Sequence, residues 1–157
     1  MPLIHISAPA GTFSDPDRDR LADNLTTITL THGGLPLTPF VRSTVWIYFH
    51  EFASTHVYHG GQPGVTPVIS VEINAFQGGL NAATKPAIIR DVTDVITRAA
   101  RLPQDAPAPV YILFRHIPAD DWGVFGSTIT LDELRGSDPD GLPLHALTDS
   151  SAAGRMV

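Results

Sequence analysis

Pro2-Leu3-Ile4-His5-Ile6-Ser7 opens the chain behind Met1, and Pro67-Val68-Ile69-Ser70-Val71-Glu72 repeats the pattern 65 positions later. Each run is a proline followed by short, β-branched alternation. Proline costs nothing at the first position of a strand, where no N–H is needed. The segments downstream of the two runs repeat as well. After the first, Gly11 breaks the strand and Ser14-Asp15-Pro16-Asp17 reads as a helix start: an N-cap serine, an early proline and an acid at the capping-box position. Leu21, Leu25 and Ile28 recur at helical spacing, Gly33-Gly34 ends the helix, and Thr44 to His50 forms an aromatic, β-branched strand. After the second, Gly78-Gly79 marks a turn, and Thr84 with Pro86 starts a helix whose apolar face is Ile88, Ile89, Val92, Val95 and Ile96. Leu102-Pro103 closes that helix, and Val110 to Arg115 is the last long strand. Val57-Tyr58-His59-Gly60-Gly61 and Trp122-Gly123-Val124-Phe125-Gly126 each read as a short hairpin ending in glycine.

Two β-α-β units imply an α+β fold. Right-handed crossovers place four main strands in one mixed sheet with both helices on one face. The expected organisation is one domain over 1–135, built of units 2–61 and 66–127, with a loose tail or strap over a neighbour at 136–157. The helix-free face would expose Trp46, Tyr48, Tyr111 and Leu113, which calls for cover by other subunits.

Composition narrows the function. The 157 residues carry 43% apolar and 17% charged side chains, a formal net charge of −6 and a single lysine, Lys85. No basic stripe exists to neutralise phosphates, so nucleic acid is not an expected partner. The absence of cysteine excludes thiol catalysis, thiolate zinc sites and disulfides. No segment reads as a signal peptide or membrane span, so a cytoplasmic protein with no membrane partner is expected. His50, His56 and His59 cluster in sequence, but Glu51 is the one acid at a suitable spacing. Exposed loop histidines account for this better than a metal site, and neither metal nor cofactor is expected.

Pro2 is either the start of an edge strand and no more, or a candidate catalytic group. Once Met1 is removed its nitrogen is a free secondary amine, and burial among apolar groups would lower its pKa and make it a base near neutral pH.

With these residues in view, the chain resembles the tautomerase superfamily. Pro2-Leu3-Ile4-His5-Ile6, Gly11-Thr12-Phe13-Ser14-Asp15 and Val57-Tyr58-His59-Gly60-Gly61 resemble the cis-3-chloroacrylic acid dehalogenase branch. The second unit, with Pro67 and Trp122-Gly123-Val124-Phe125-Gly126, resembles a 4-oxalocrotonate tautomerase subunit fused on. The resemblance implies a homotrimer and catalysis by the Pro2 amine. It implies that His32 corresponds to a substrate-binding histidine of the dehalogenase branch, and that Trp122 stands where short tautomerases carry an active-site phenylalanine. The arginines of either branch have no counterpart: Thr12, Phe76-Gln77-Gly78-Gly79, Trp46 and Tyr111 occupy their places. The dehalogenase's water-activating acid falls near Val124 and its last-strand tyrosine near Leu113.

Carboxylate substrates are commonly held by bidentate arginine, and hydrolytic dehalogenation needs a base for water. The expectation is therefore a keto–enol tautomerase acting on a small, aromatic or weakly charged carbonyl compound. A cis-3-haloacrylate dehalogenase or hydratase, and a non-catalytic trimeric binding module, are the alternatives. Phe76, Trp122 and Phe125 fit an apolar pocket or ordinary packing. Asn74 either polarises a carbonyl or closes a turn. Arg115 and Arg42 either replace the missing arginines or form surface ion pairs, and His5 either contacts substrate or bonds within the trimer. His32 and Trp122 are expected to affect binding more than stability.

Overall fold

Ile4, Ile6 and Ala8 alternate with Leu3, His5 and Ser7, and that alternation makes the first run a strand, β1 (Leu3–Pro9), with one face in the core. The computed structural model describes residues 2–64, 66–124 and 126–146. In chain order β1 is followed by helix α1 (Asp15–His32), a short helix α2 (Pro39–Ser43), strand β2 (Trp46–Phe52) and a small hairpin of β3 (Tyr58–His59) and β4 (Gln62–Pro63). The second unit is β5 (Ile69–Phe76), α3 (Lys85–Ala99), β6 (Val110–Ile117) and a hairpin of β7 (Gly123–Val124) and β8 (Ser127–Thr128). Helix α4 (Leu131–Arg135) follows.

The four long strands form one mixed sheet in the order β2-β1-β5-β6. Each unit contributes a parallel pair, and the units meet where β1 runs antiparallel to β5, with Leu3 opposite Asn74 and Ser7 opposite Ser70. Helices α1 and α3 pack against each other and against one sheet face. Ile4, Ile6, Val71 and Ile73 from the sheet meet Leu21, Leu25, Ile88, Val92 and Ile96 from the helices. Each of these nine side chains is at most 1% exposed, and full burial of one contributes about 1.5–3 kcal/mol. The opposite face stays uncovered in the single chain: Trp46, Tyr48, Tyr111 and Leu113 are all exposed, as the alternation implies.

Local signals explain the element ends. Ser14 and Asp17 form a reciprocal capping box at the start of α1. The two residues between β3 and β4, Gly60 and Gly61, have φ of 56° and 83°, the left-handed pair a tight hairpin turn demands. Thr84 precedes α3 without a side-chain cap; Asn81 Oδ1 accepts the Ala83 and Thr84 N–H groups instead. The strand expected from Thr44 begins at Trp46, because Thr38 caps α2 across residues 39–43. Residues 136–146 turn back along their own chain: the Leu144 N–H donates to Ser43 Oγ at 2.8 Å, and Gly141 lies against Phe40. The rest of the expected tail, 147–157, lies outside the described residues.

Asp17 does more than cap. It is 3% exposed and accepts from Arg20 and, at 3.0 Å, from Arg101 beyond the end of α3. Arg101 adopts a left-handed φ of 53° there. The Ser14 hydroxyl first, then the Ser14 N–H and the Arg101 and Arg20 charges, hold the Asp17 carboxyl below the usual aspartate range against the opposing effect of desolvation. A folded-state value below the unfolded one, about 3.9, means a contribution that is full above the unfolded value and lost as pH falls through the folded one. The stability advantage of wild type over Asp17→Asn, read from urea unfolding, should be level from roughly pH 5 to 7 and shrink below about pH 4. An advantage undiminished at about pH 2 would assign it to something other than the charge.

Candidate active site

Pro2 is buried where β1 begins, and its carbonyl accepts the Trp46 N–H at 3.2 Å, fixing the starts of β1 and β2 side by side. A pocket of about 510 Å3 opens at this point. It is lined by Pro2, Leu3, Thr44 and Asn74, by Trp46 and Tyr48 of β2, and by Ile117 with the segment Asp121 to Val124 that includes β7. Trp122 is 9% exposed, and its ring tilts on Phe76 with centroids 4.8 Å apart. Asn74 Nδ2 donates to the Leu3 carbonyl at 3.1 Å and to Glu72 Oε1 at 3.3 Å, so its amide is held across the strand pair β1–β5.

On its other side Pro2 meets a crevice of about 20 Å3, lined among others by Phe76, Gly79 and Leu131. Such a space holds little more than one water. Leu131 from α4 rests over Gly79, and Leu134 is fully buried in a second core cluster with Leu30, Leu35, Val41, Phe76 and Trp122. Leu131 of α4 thus borders the same crevice as Pro2.

The structure brings Pro2, Asn74 and Trp122 together, with Phe76 directly behind Trp122. It does not bring His32 or Arg115 to this pocket. His32 Nε2 lies 2.8 Å from Asp91 Oδ2, joining α1 to α3 in the helix layer, and this contact holds the Asp91 carboxyl below its usual range. Arg115 is directed to Glu72 Oε2 at 2.9 Å on the open sheet face. Arg42 is taken by Asp23 and Thr27. His5 Nδ1 sits 2.9 Å from His50 Nε2, with Tyr48 stacked on the His5 ring. Phe125 lies outside the described residues. Tyr48, Thr44 and Asp121 are pocket residues that sequence reasoning did not single out. Tyr48 was legible as a strand neighbour of Trp46 two residues on; Asp121 had no signal beyond preceding Trp122.

Among the described residues no group of three or more His, Asp or Glu side chains is placed to hold a metal ion. No helix among them is long and apolar enough to cross a membrane.

Two family models match the chain: one described as putative oxalocrotonate tautomerase enzyme over residues 1–78, the other as tautomerase enzyme over residues 70–131. The chain belongs to the tautomerase superfamily. Its two units correspond to the two models, which meet at β5. Solved structures agree in fold. A native fused 4-OT is 23% identical with a TM-score of 0.66, over 80% of this chain and 94% of the other. N1, a member of the cis-3-chloroacrylic acid dehalogenase family, is 18% identical with a TM-score of 0.69, over 96% and 99%. The macrophage migration inhibitory factor of Toxoplasma gondii is 16% identical with a TM-score of 0.64, over 81% and 99%. No curated protein matched the sequence.

Proposed function

We propose that this tautomerase-superfamily chain is a keto–enol tautomerase whose base is the secondary amine of Pro2, freed by removal of Met1. The observation that carries the reading is that the buried Pro2 lines a pocket together with Trp46, Tyr48 and Trp122. There the neutral amine would take a proton from the carbon next to a carbonyl. The oxygen then gains a proton from solvent, so that one proton is lost, one gained and the product is the isomeric enol. The reverse step returns the proton from the prolinium to carbon. Burial of Pro2 disfavours the charged amine and supports a base near neutral pH. Asn74 is positioned beside the reacting group, although its amide is already engaged by Leu3 and Glu72.

Val124 lines the pocket near the place of a dehalogenase's water-activating acid and cannot serve as one, which counts against dehalogenation. The absence of any arginine from the described lining favours a second reading, a non-catalytic module of the same fold. A direct comparison tests the choice of substrate. Ketonisation of a phenylpyruvate-type enol should outpace that of a dicarboxylate enol in one assay. Faster turnover of the dicarboxylate would mean that a binding arginine reaches the pocket after all, and turnover of neither would support the non-catalytic reading.

The reading includes a cytoplasmic homotrimer. Two fused 4-OT relatives of the same fold are described as trimers, and the open sheet face of this chain presents Trp46, Tyr48, Tyr111 and Leu113 to solvent. Sedimentation at micromolar concentration should give three times the chain mass. A well-folded monomer would remove the trimer from the proposal.

A further inference from the structure

The open face of the sheet is polar along its middle and apolar at its margins. Trp46 and Tyr48 stand on β2, Tyr111 and Leu113 on β6, and all four are exposed. Between them lies a depression of about 340 Å3, lined among others by His5 and Ser7 of β1, His50 of β2, and Ser70 and Glu72 of β5. His5 Nδ1 is 2.9 Å from His50 Nε2 with the ring planes 18° apart, so one of the two nitrogens carries a proton and donates it while the other accepts. The register places Glu72 opposite His5, and Tyr48 stacks on the His5 ring. Glu72 is already engaged, by Arg115 at 2.9 Å and by Asn74 at 3.3 Å. Tyr48, Glu72 and Arg115 are the titratable and charged groups beside the pair on this face, and α1 and α3 pack on the other.

We propose that the His5–His50 pair makes assembly of this chain sensitive to acid: the trimer holds while the two rings share one inner proton and loosens where both become charged. The inference rests on the homotrimer of the proposed function. Cover over both aromatic margins encloses the polar middle with them, so the pair leaves bulk water when copies assemble. Two neutral imidazoles keep the N–H···N bond, and so does a pair with one added proton. A second added proton puts an N–H on both facing nitrogens. The bond is then lost, and two like charges lie side by side out of water. Glu72 cannot relieve them, because Arg115 holds it and brings a positive charge of its own. In a separated chain water and salt screen the two rings, and both can be charged. The separated chain therefore binds more protons than the assembled one, and linkage weakens the trimer as pH falls. The contribution is whole above the value of a free histidine, about 6.5, and is lost progressively below it. The charge of the chain as a whole acts in the opposite direction. Its formal value of −6 at pH 7 shrinks toward an isoelectric point of about 5.5, which relieves repulsion among copies and favours assembly.

Sedimentation of the full chain over a dilution series, at about pH 8 and about pH 6 in one salt concentration, tests this. With at most one added proton on the assembled pair, each chain gains about twofold on separation at the lower pH, so the trimer's dissociation constant should rise about tenfold. His50→Gln keeps a hydrogen-bonding partner for His5 but cannot take a charge, and it should cancel most of that rise. His5→Gln should do the same. A wild-type dissociation constant that stays level or falls at the lower pH, or a rise that persists in both variants, would overturn the proposal and leave the trimer standing. A monomer at the higher pH would overturn the trimer and the proposal together. Should the glutamine variants fail to assemble, proton uptake decides. Dilution calorimetry of the wild-type chain at the lower pH, in two buffers of different ionisation enthalpy, should show protons taken up as the copies separate. No uptake would overturn the proposal.

Discussion

Pro2→Ala is expected to lower tautomerase turnover by roughly 10²–10⁴, the range for loss of a positioned general base, with the fold unchanged. Alanine keeps what the structure asks of this backbone: the carbonyl that accepts from Trp46 remains, and the residue still starts β1. It loses the ring. The primary amine left behind is a free rotor about its bond to the chain, whereas the pyrrolidine nitrogen is fixed by its own ring and by the walls of the pocket and crevice on either side. Retention of Met1 should be at least as damaging, because the nitrogen becomes a tertiary amide with no lone pair for a proton. Intact mass therefore has to accompany every rate. Pro67→Ala is the control. Pro67 sits in the same place of the second unit but is an internal amide, exposed and remote from the pocket lining, and its replacement should leave the rate nearly unchanged. On this proposal, two units of one plan yield one catalytic amine per chain. Full activity in Pro2→Ala would sink proline catalysis and leave the non-catalytic module as the better account.

The repeat was legible because it is written in local chemistry. Alternation at Ile4, Ile6 and Ala8 and the Ser14–Asp17 box each act within a few residues, and the structure shows both as read, whereas Gly60-Gly61, expected to end a hairpin, is the turn between β3 and β4. The exposed face came from phase alone, since β-strand side chains alternate and the helices cover one side. The features that stayed hidden depend on register and long-range pairing. Glu72 stands opposite Leu113 and diagonal to Arg115, so the ion pair that occupies Arg115 appears only once β5 and β6 are aligned. His32 meets Asp91 across 59 residues, a contact between helix faces that no local motif encodes. Two short helices were within reach. Thr38-Pro39 is an N-cap followed by the proline of a first turn, and Thr130 with Glu133 is a capping box that starts α4. That second signal matters for the site, because Leu131 from α4 lines the crevice beside Pro2.

Trp122 shows how the pocket is built into the core, and its truncation should cost stability as well as binding. The expectation from sequence position was that binding would suffer more. The surroundings of Trp122 add a reason to expect a stability cost: it is 9% exposed, its ring lies on Phe76, and it belongs to the cluster that also holds Leu30, Leu35, Val41 and Leu134. Those residues come from α1, the segment after it, α2 and α4, so the cluster that includes the indole ties α4 to the first unit. Removing it leaves a large apolar cavity that the surrounding backbone cannot fill by relaxation. Trp122→Ala is expected to destabilise the protein by about 3–5 kcal/mol, measured by denaturant unfolding at fixed protein concentration so that any assembly equilibrium is held constant. Trp122→Phe should recover most of the loss, since a second ring can still rest on Phe76. Binding of an aromatic ligand would weaken in both, more so in the alanine variant, because one wall of the pocket recedes. A loss under about 1 kcal/mol, the usual range for substitutions away from a core, would mean that the cluster closes without the indole. Trp122 would then serve the pocket alone, and the packing of Leu134 from α4 would rest on Leu30, Leu35, Val41 and Phe76.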